Sequence, residues 1–290
     1  MLDFTDAMPT LFVVSSGPLA GKTTIAAGIA RKLASQRVSS TLARTGEDAN
    51  AAADSALFSR LSSAGEVHIT EMAAGEAFAG GDGRVVVVAT PSEDPAAHAG
   101  TAALAGVIVN HAPPRKAEAI RAAYQAAGAK LLAVVPEDAL LASPTIGQVA
   151  EALSAEGENI EENRDRPLDR PIIASIAADP GQDYFVRTDA TAVIVRSDKP
   201  DLQLAALNAG PTCLIVTGGL SMLSYVLERV VDEEIPLLRT KLDTKDAVSV
   251  IEELFGARPF AGSDAKLRRI EELLVDVNVD ALVERSAPKA

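Results

Sequence analysis

The sequence predicts an α/β chain of two units, each a parallel sheet covered by helices, the second unit the smaller. Three observations predict it. Short, continuous β-branched runs such as "RVVVVAT" alternate with Ala-rich stretches along the chain, which is how strands buried on both faces read. A Gly-Lys-Thr segment stands between the first such run and the first helical stretch. The charged segment "GENIEENRDRPLDRP" carries two prolines and no apolar run, and separates two halves of similar alternation.

In the first half, "TLFVVSS" reads as a strand and is followed by a helix from Thr23 to Ser35. "VSSTLAR" and "DANAAADSALFSRLSS" repeat the pair, and "VHITEM" leads through the turn "AGGDG" to "RVVVVAT". "AGVIVNH" precedes the helical "RKAEAIRAAYQAAG", and "AKLLAVVPE" precedes "TIGQVAEALSAE". Alanine favours helix and lets helices sit close to a sheet. The second half continues with strands in "PIIASIAA", "TDATAVIVRS", "PTCLIVTGG" and "IPLLRTK". Its helices are expected in "DLQLAALNAG", "SMLSYVLERVVDEE", "DTKDAVSVIEELFG" and "SDAKLRRIEELLVD". The expected boundaries are a first domain over 1–157, a charged connection over 158–170 and a second domain over 171–290.

At 290 residues the chain has the length of two ordinary domains. It is 48% hydrophobic but 3% aromatic with no Trp, so its core must be Ala, Val, Leu and Ile. A formal charge of −13 argues against nucleic acid as a partner, because phosphate backbones need a surplus of Lys and Arg. One nucleotide is still accessible to a few backbone N–H groups and a single lysine. The one cysteine, Cys213 in "CLIVTG", reads as a small core residue. His68, His98 and His111 show no ligand spacing. No apolar stretch is long enough for a bilayer, and no basic region precedes the first apolar run, so neither membrane nor signal peptide is expected. A cytoplasmic location is the default expectation.

The segment "SSGPLAGKTT" follows a strand and opens a helix, which is the context of a phosphate-binding loop (P-loop). Gly17 and Gly21 would let the backbone approach a phosphate, Lys22 would reach the terminal phosphates, and Thr23, with Thr24 beside it, would begin the helix. Thr23 is the candidate Mg²⁺ ligand from the loop, and Glu71, at the end of "VHITEM", the candidate carboxylate facing it. ATP with Mg²⁺ is therefore the candidate cofactor. The loop departs from the strict pattern: Ser16 stands where its first glycine belongs, and Pro18 removes one N–H. The alternative is a turn that only starts a helix. Arg44 ends the second strand near the loop, and Glu47 and Asp48 are weaker acidic candidates. Phosphoryl transfer also needs a group to place the nucleophile, and none is legible, so catalytic residues stay unassigned.

In the second half, "TGG" and "TKLDT" each place polar residues just beyond an apolar strand. Asp198, Thr217, Gly218, Gly219, Asp243 and Thr244 would form one polar site if those strand ends converge. The alternative is structural: glycines for sharp turns and Asp243 as a helix N-cap.

The loop, "VIVNHAPP" and "LLAVVPEDALLASPTIGQVAEAL" together resemble the dethiobiotin synthetase-like nucleotide-binding domain, related to cobyrinic acid amide synthases. The matching residues are Asn110, Pro136, Glu137, Asp138, Leu141, Pro144 and Thr145. The pieces "VIVRSDKPDLQLAAL", "CLIVTGG" and "DTKDAVSVIEELFG" resemble the small DRTGG domain. The pairing looks like the N-terminal regulatory region of long bacterial phosphate acetyltransferases and covers roughly residues 10 to 275. It implies a P-loop NTPase-like sheet followed by a DRTGG-like domain, a homo-oligomer, and a protein partner in acetate metabolism.

The departures bear on activity. "TLARTG" stands where dethiobiotin synthetases carry a Lys-Pro pair, and "EMAAGEA" keeps Glu71 but loses most glycines of the family's stretch, so biotin synthesis is not expected. "VRSDKPD" keeps Asp198 but lacks the glycines that precede the acid in the DRTGG pattern. No acetyltransferase segment follows, so that whole-enzyme activity is not expected either. The expectation is a regulatory or sensor protein that binds a small phosphate-containing ligand. Two rivals stand beside it: an ATP-dependent ligase or kinase acting on a carboxylate, and an interaction scaffold with a degenerate P-loop.

Overall fold

In the computed structural model, residues 8–76, 78, 80, 82–168, 171–174, 192–257 and 259–283 are described. The chain divides into two compact units, one of residues 1–138 with 264–290, the other of residues 139–263. Both are α/β units built on an all-parallel sheet, as the continuous apolar strands require.

The first unit carries six strands: β1 (Thr10–Val14), β2 (Ser40–Arg44), β3 (Val67–Glu71), β4 (Arg84–Ala89), β5 (Leu104–Ala112) and β6 (Leu131–Pro136), in the order β2-β3-β1-β4-β5-β6. The valines of β4 are all buried, which places this strand in the middle of the sheet. Helices α1 (Lys22–Ser35), α2 (Ala51–Leu61) and α3 (Ala117–Ala126) link the strands. Ile25, Ile29 and Leu33 put one stripe of α1 wholly out of solvent, each worth about 1.5–3 kcal/mol in burial. Parallel register aligns the carboxyl ends of the strands: Arg44 pairs with Glu71, and Glu71 with Val13. That edge is where open α/β sheets present their ligand sites.

The second unit has the four-stranded order β10-β9-β8-β7, from β7 (Pro171–Ile173), β8 (Ala192–Arg196), β9 (Cys213–Thr217) and β10 (Leu237–Arg239). Its helices are α4 (Ala139–Ala142), α5 (Ile146–Ala152), α6 (Pro200–Asn208), α7 (Ser224–Asp232) and α8 (Thr244–Leu254). Strand residues alternate between two cores. Val193, Val195, Leu214 and Val216 face Leu202, Ala206, Val226 and Val230, while Ile194, Cys213 and Ile215 face Ile146, Val149, Ala247 and Ile251. Cys213 is free and fully buried, as expected.

The division differs from the expected 1–157, 158–170 and 171–290. The helix in "TIGQVAEALSAE" is α5, and it packs in the second unit. The charged stretch is built into that unit: Glu156 and Arg239 exchange two backbone hydrogen bonds of 3.0 and 2.7 Å, and Leu237 N donates to Glu158 O at 3.0 Å. These bonds cover the open edge of β10, while Leu168 is fully buried. Its charges face water and its backbone completes a sheet, which composition does not reveal.

The last helices, α9 (Asp264–Leu273) and α10 (Val279–Leu282), belong to the first unit. Gly28 makes the docking of α9 on α1 close: a Cβ there would lie 2.7 Å from Ile270 Cγ1 and 2.8 Å from Leu274 Cδ1. Lys32 Nζ donates to Leu274 O at 2.7 Å, satisfying a carbonyl beyond the end of α9. Parts of the expected "AGGDG" turn, of "PIIASIAA" and "TDATAVIVRS", and the terminal residues lie outside the described residues.

Candidate nucleotide site

The loop from Ser15 to Gly21 joins β1 to α1 at the carboxyl edge of the first sheet. Gly21 has φ +85°, a conformation open to glycine, and a Cβ there would lie 2.2 Å from Asn110 Nδ2. The amide of Asn110 takes that space and donates to Ala20 O at 3.0 Å, so the end of β5 braces the loop. No side chain caps the N-terminus of α1, and its first turn carries no acid. The free N–H groups and the positive end of the helix dipole therefore face the loop.

Lys22 is buried, and its Nζ donates to Ser15 Oγ at 3.0 Å; Ser15 Oγ in turn donates to Gly17 O at 2.6 Å. Burial lowers the Lys22 pKa, with Glu71 opposing that shift. Thr23 Oγ1 donates to Glu71 Oε2 at 2.9 Å. Glu71 is 4% exposed, and burial raises its pKa although the Thr23 hydroxyl favours the ionised form. Asp54 of α2 also stands against Thr23 and is pushed up by burial.

Arg44, at the end of β2, is engaged by two carboxylates. Its Nη1 lies 2.5 Å from Asp54 Oδ2 and its Nη2 2.7 Å from Asp48 Oδ2, with the guanidinium side chain 5% exposed. Asp48 is thereby an ion-pair partner of Arg44. Of the loop candidates, Gly17, Gly21, Lys22, Thr23 and Glu71 are brought together; Thr24 follows on α1. Sequence reading missed three contributors. Ser15, and Glu93, which accepts from Ser16 Oγ at 2.6 Å, offer no pattern to read, but Asp54 does: it shares a helix face with the buried Leu57 and Phe58, an unexpected place for a carboxylate.

Among the described residues no three His, Cys, Asp or Glu side chains are grouped to hold a metal by themselves. The donor set is instead a hydroxyl and a buried carboxylate beside a loop lysine. Hard oxygen donors of this kind suit Mg²⁺, which keeps waters and takes its remaining ligands from phosphates. Thr23 and Glu71 are the residues that fit it.

In the second unit, Thr217 Oγ1 and Thr244 Oγ1 are 2.8 Å apart. Gly218 and Gly219 have φ +92° and +69°, and Gly218 N donates to Leu242 O at 2.8 Å. Asp243 accepts from Asp246 N at 2.9 Å and so caps α8. These five converge where β9 and β10 end. Asp198, just beyond β8, is paired with Arg196, which donates to both its oxygens at 2.9 and 2.7 Å and lowers its pKa. Ser197, which the sequence did not single out, accepts from Leu220 N at 3.2 Å and ties the glycine turn to β8.

Residues 148–254, within the second unit, match the family model described as the DRTGG domain. The match begins at α5, ahead of the charged stretch, in keeping with the packing. A solved structure of the CBS and DRTGG domains of the regulatory region of Clostridium perfringens pyrophosphatase, complexed with the activator diadenosine tetraphosphate, is 18% identical to this chain. The likeness covers 44% of this chain and 56% of that one, at a TM-score of 0.35. No described helix is long and apolar enough to cross a membrane.

Proposed function

We propose that the protein is a regulatory module that binds a nucleoside phosphate, ATP with Mg²⁺ being the reading its residues support best, in the first unit. The observation that carries this reading is the convergence of Thr23 and Glu71 at 2.9 Å beside the buried Lys22. Gly21 and the uncapped start of α1 would receive the phosphates, Lys22 would leave Ser15 to pair with the outermost one, and Thr23 and Glu71 would hold Mg²⁺. The ion supplies charge neutralisation for the phosphates when bound.

The DRTGG domain would carry the regulatory half, in a homo-oligomer, by a shift between arrangements that nucleotide favours unequally. The resemblance of the first unit to dethiobiotin synthetase-like domains supports the nucleotide assignment. The combined resemblance to the N-terminal region of long phosphate acetyltransferases suggests a partner in acetate metabolism.

Amide spectra of the ¹⁵N-labelled chain test the assignment. ATP with Mg²⁺ is expected to move the signals of residues 16–24 and of Glu71 first, with no ADP formed. Shifts confined to residues 217–244 would transfer the ligand to the second unit, and steady ADP release would favour the ligase or kinase reading.

A further inference from the structure

Glu93 follows β4 and belongs to no recognised motif, yet it holds Ser16, the residue standing where the loop pattern has its first glycine. Ser16 Oγ donates to Glu93 Oε2 at 2.6 Å. The other oxygen, Oε1, accepts from Thr90 N at 2.7 Å and from Thr90 Oγ1 at 3.1 Å, so the carboxylate is fixed by its own turn. Behind it, His98 Nε2 lies 3.6 Å from Oε2, and the buried His98 ring stacks on buried Tyr124 at 6.3 Å between centroids.

We propose that Glu93 is a positioning residue of the nucleotide loop and acts through Ser16. This rests on the nucleotide reading given above. A glycine at position 16 would turn the chain by backbone freedom; a serine there is instead anchored from the side by a short bond to a carboxylate oxygen. The loop needs such an anchor. Pro18 contributes no N–H, and Leu19 is a non-glycine residue at φ +57°, a sparsely populated conformation that surrounding contacts must impose. Gly75 N donates to Ser15 O at 3.0 Å and Asn110 Nδ2 to Ala20 O at 3.0 Å, and the Glu93 bond adds a side-chain restraint at Ser16. The Thr90 and Ser16 donors occupy both oxygens of the Glu93 carboxylate.

The test uses hydrogen exchange and MgATP titration on the full chain with Ser16→Ala, Glu93→Ala, the double variant and Ser16→Thr. In the unliganded protein, amides of residues 16–21 are expected to exchange about tenfold faster in each alanine variant, the size of a lost hydrogen bond to an ionised group. The double variant is expected to be no faster than either single, since both remove one interaction, and Ser16→Thr, which keeps the hydroxyl, to restore protection. MgATP affinity should fall about tenfold in the same pattern. Unchanged exchange in Ser16→Ala, or additive effects in the double variant, would overturn the proposal. Ser16→Ala leaves the Thr90 turn intact, so it decides the matter even if Glu93→Ala folds poorly. Loop protection that follows the expected pattern in a protein that binds no MgATP would sink the nucleotide reading and leave the positioning role supported.

Discussion

Thr23 Oγ1 donates to Glu71 Oε2 at 2.9 Å, joining the first turn of α1 to the last residue of β3 across 48 positions of sequence. The bond exists because β3 lies beside β1 in parallel register, with Glu71 opposite Val13, so both chains end at the same edge. A carboxylate taken this far out of water is costly, and one hydroxyl does not satisfy it. A site that receives a cation gives that cost a use.

Thr23→Ala removes the hydroxyl and leaves Glu71 in place. ATP affinity in the wild type is expected to rise with Mg²⁺, and the variant to lose on the order of tenfold of that gain, as losses around metal sites do. Titrations with Mg²⁺ and with EDTA check it. An equal Mg²⁺ effect in both proteins would remove Thr23 from the metal assignment.

Glu71→Gln should stabilise the protein at neutral pH while weakening Mg²⁺-dependent binding. Burial raises the Glu71 pKa in the fold, so the protonated side chain is the one the folded state prefers. The associated stability is fully present below the unfolded pKa and is lost as pH rises through the folded value. The amide, which does not ionise, escapes that loss and keeps a carbonyl to accept from Thr23. Thermal unfolding at pH 4 and pH 7 should show a Gln variant that gains on the wild type only at the higher pH. A variant less stable than the wild type at pH 7 would contradict the burial argument.

Gly157→Ala is expected to damage the second unit. A Cβ at Gly157 would lie 1.7 Å from Leu237 O, a backbone atom that cannot swing aside. The segment would have to leave the edge of β10 and give up the paired bonds of Glu156 and Arg239, at a cost of several kcal/mol by the measure of an overpacked site with broken hydrogen bonds. Denaturant unfolding reads the loss. If residues 157–171 were a free connection, the substitution would change nothing.

The strands were legible because parallel sheets bury both faces, and "RVVVVAT", "VIVNH" and "CLIVTG" carry that burial in their composition. The strand-turn-helix around Lys22 was legible because the Gly-Lys-Thr segment stands between an apolar run and an Ala-rich stretch, and Glu71 because it closes the run "VHITEM". The partners of Arg44 and Asp198 were not legible: a charged side chain at a strand end looks available in sequence, whereas Asp54 with Asp48, and Arg196, pair with them in the fold. The charged stretch misled because composition reports side chains, whereas Glu156 and Glu158 pair through their backbone. The amphipathic pattern of α9 shows that it packs, but not which core it joins; that depends on the space left by Gly28.

The most direct test of the central claim is calorimetric titration of ATP with Mg²⁺ into the wild type and Lys22→Ala. Micromolar binding by the wild type that Lys22→Ala abolishes is the predicted result. No heat from either protein, with thermal shifts equally flat, would contradict the account and leave the loop as a turn that starts α1.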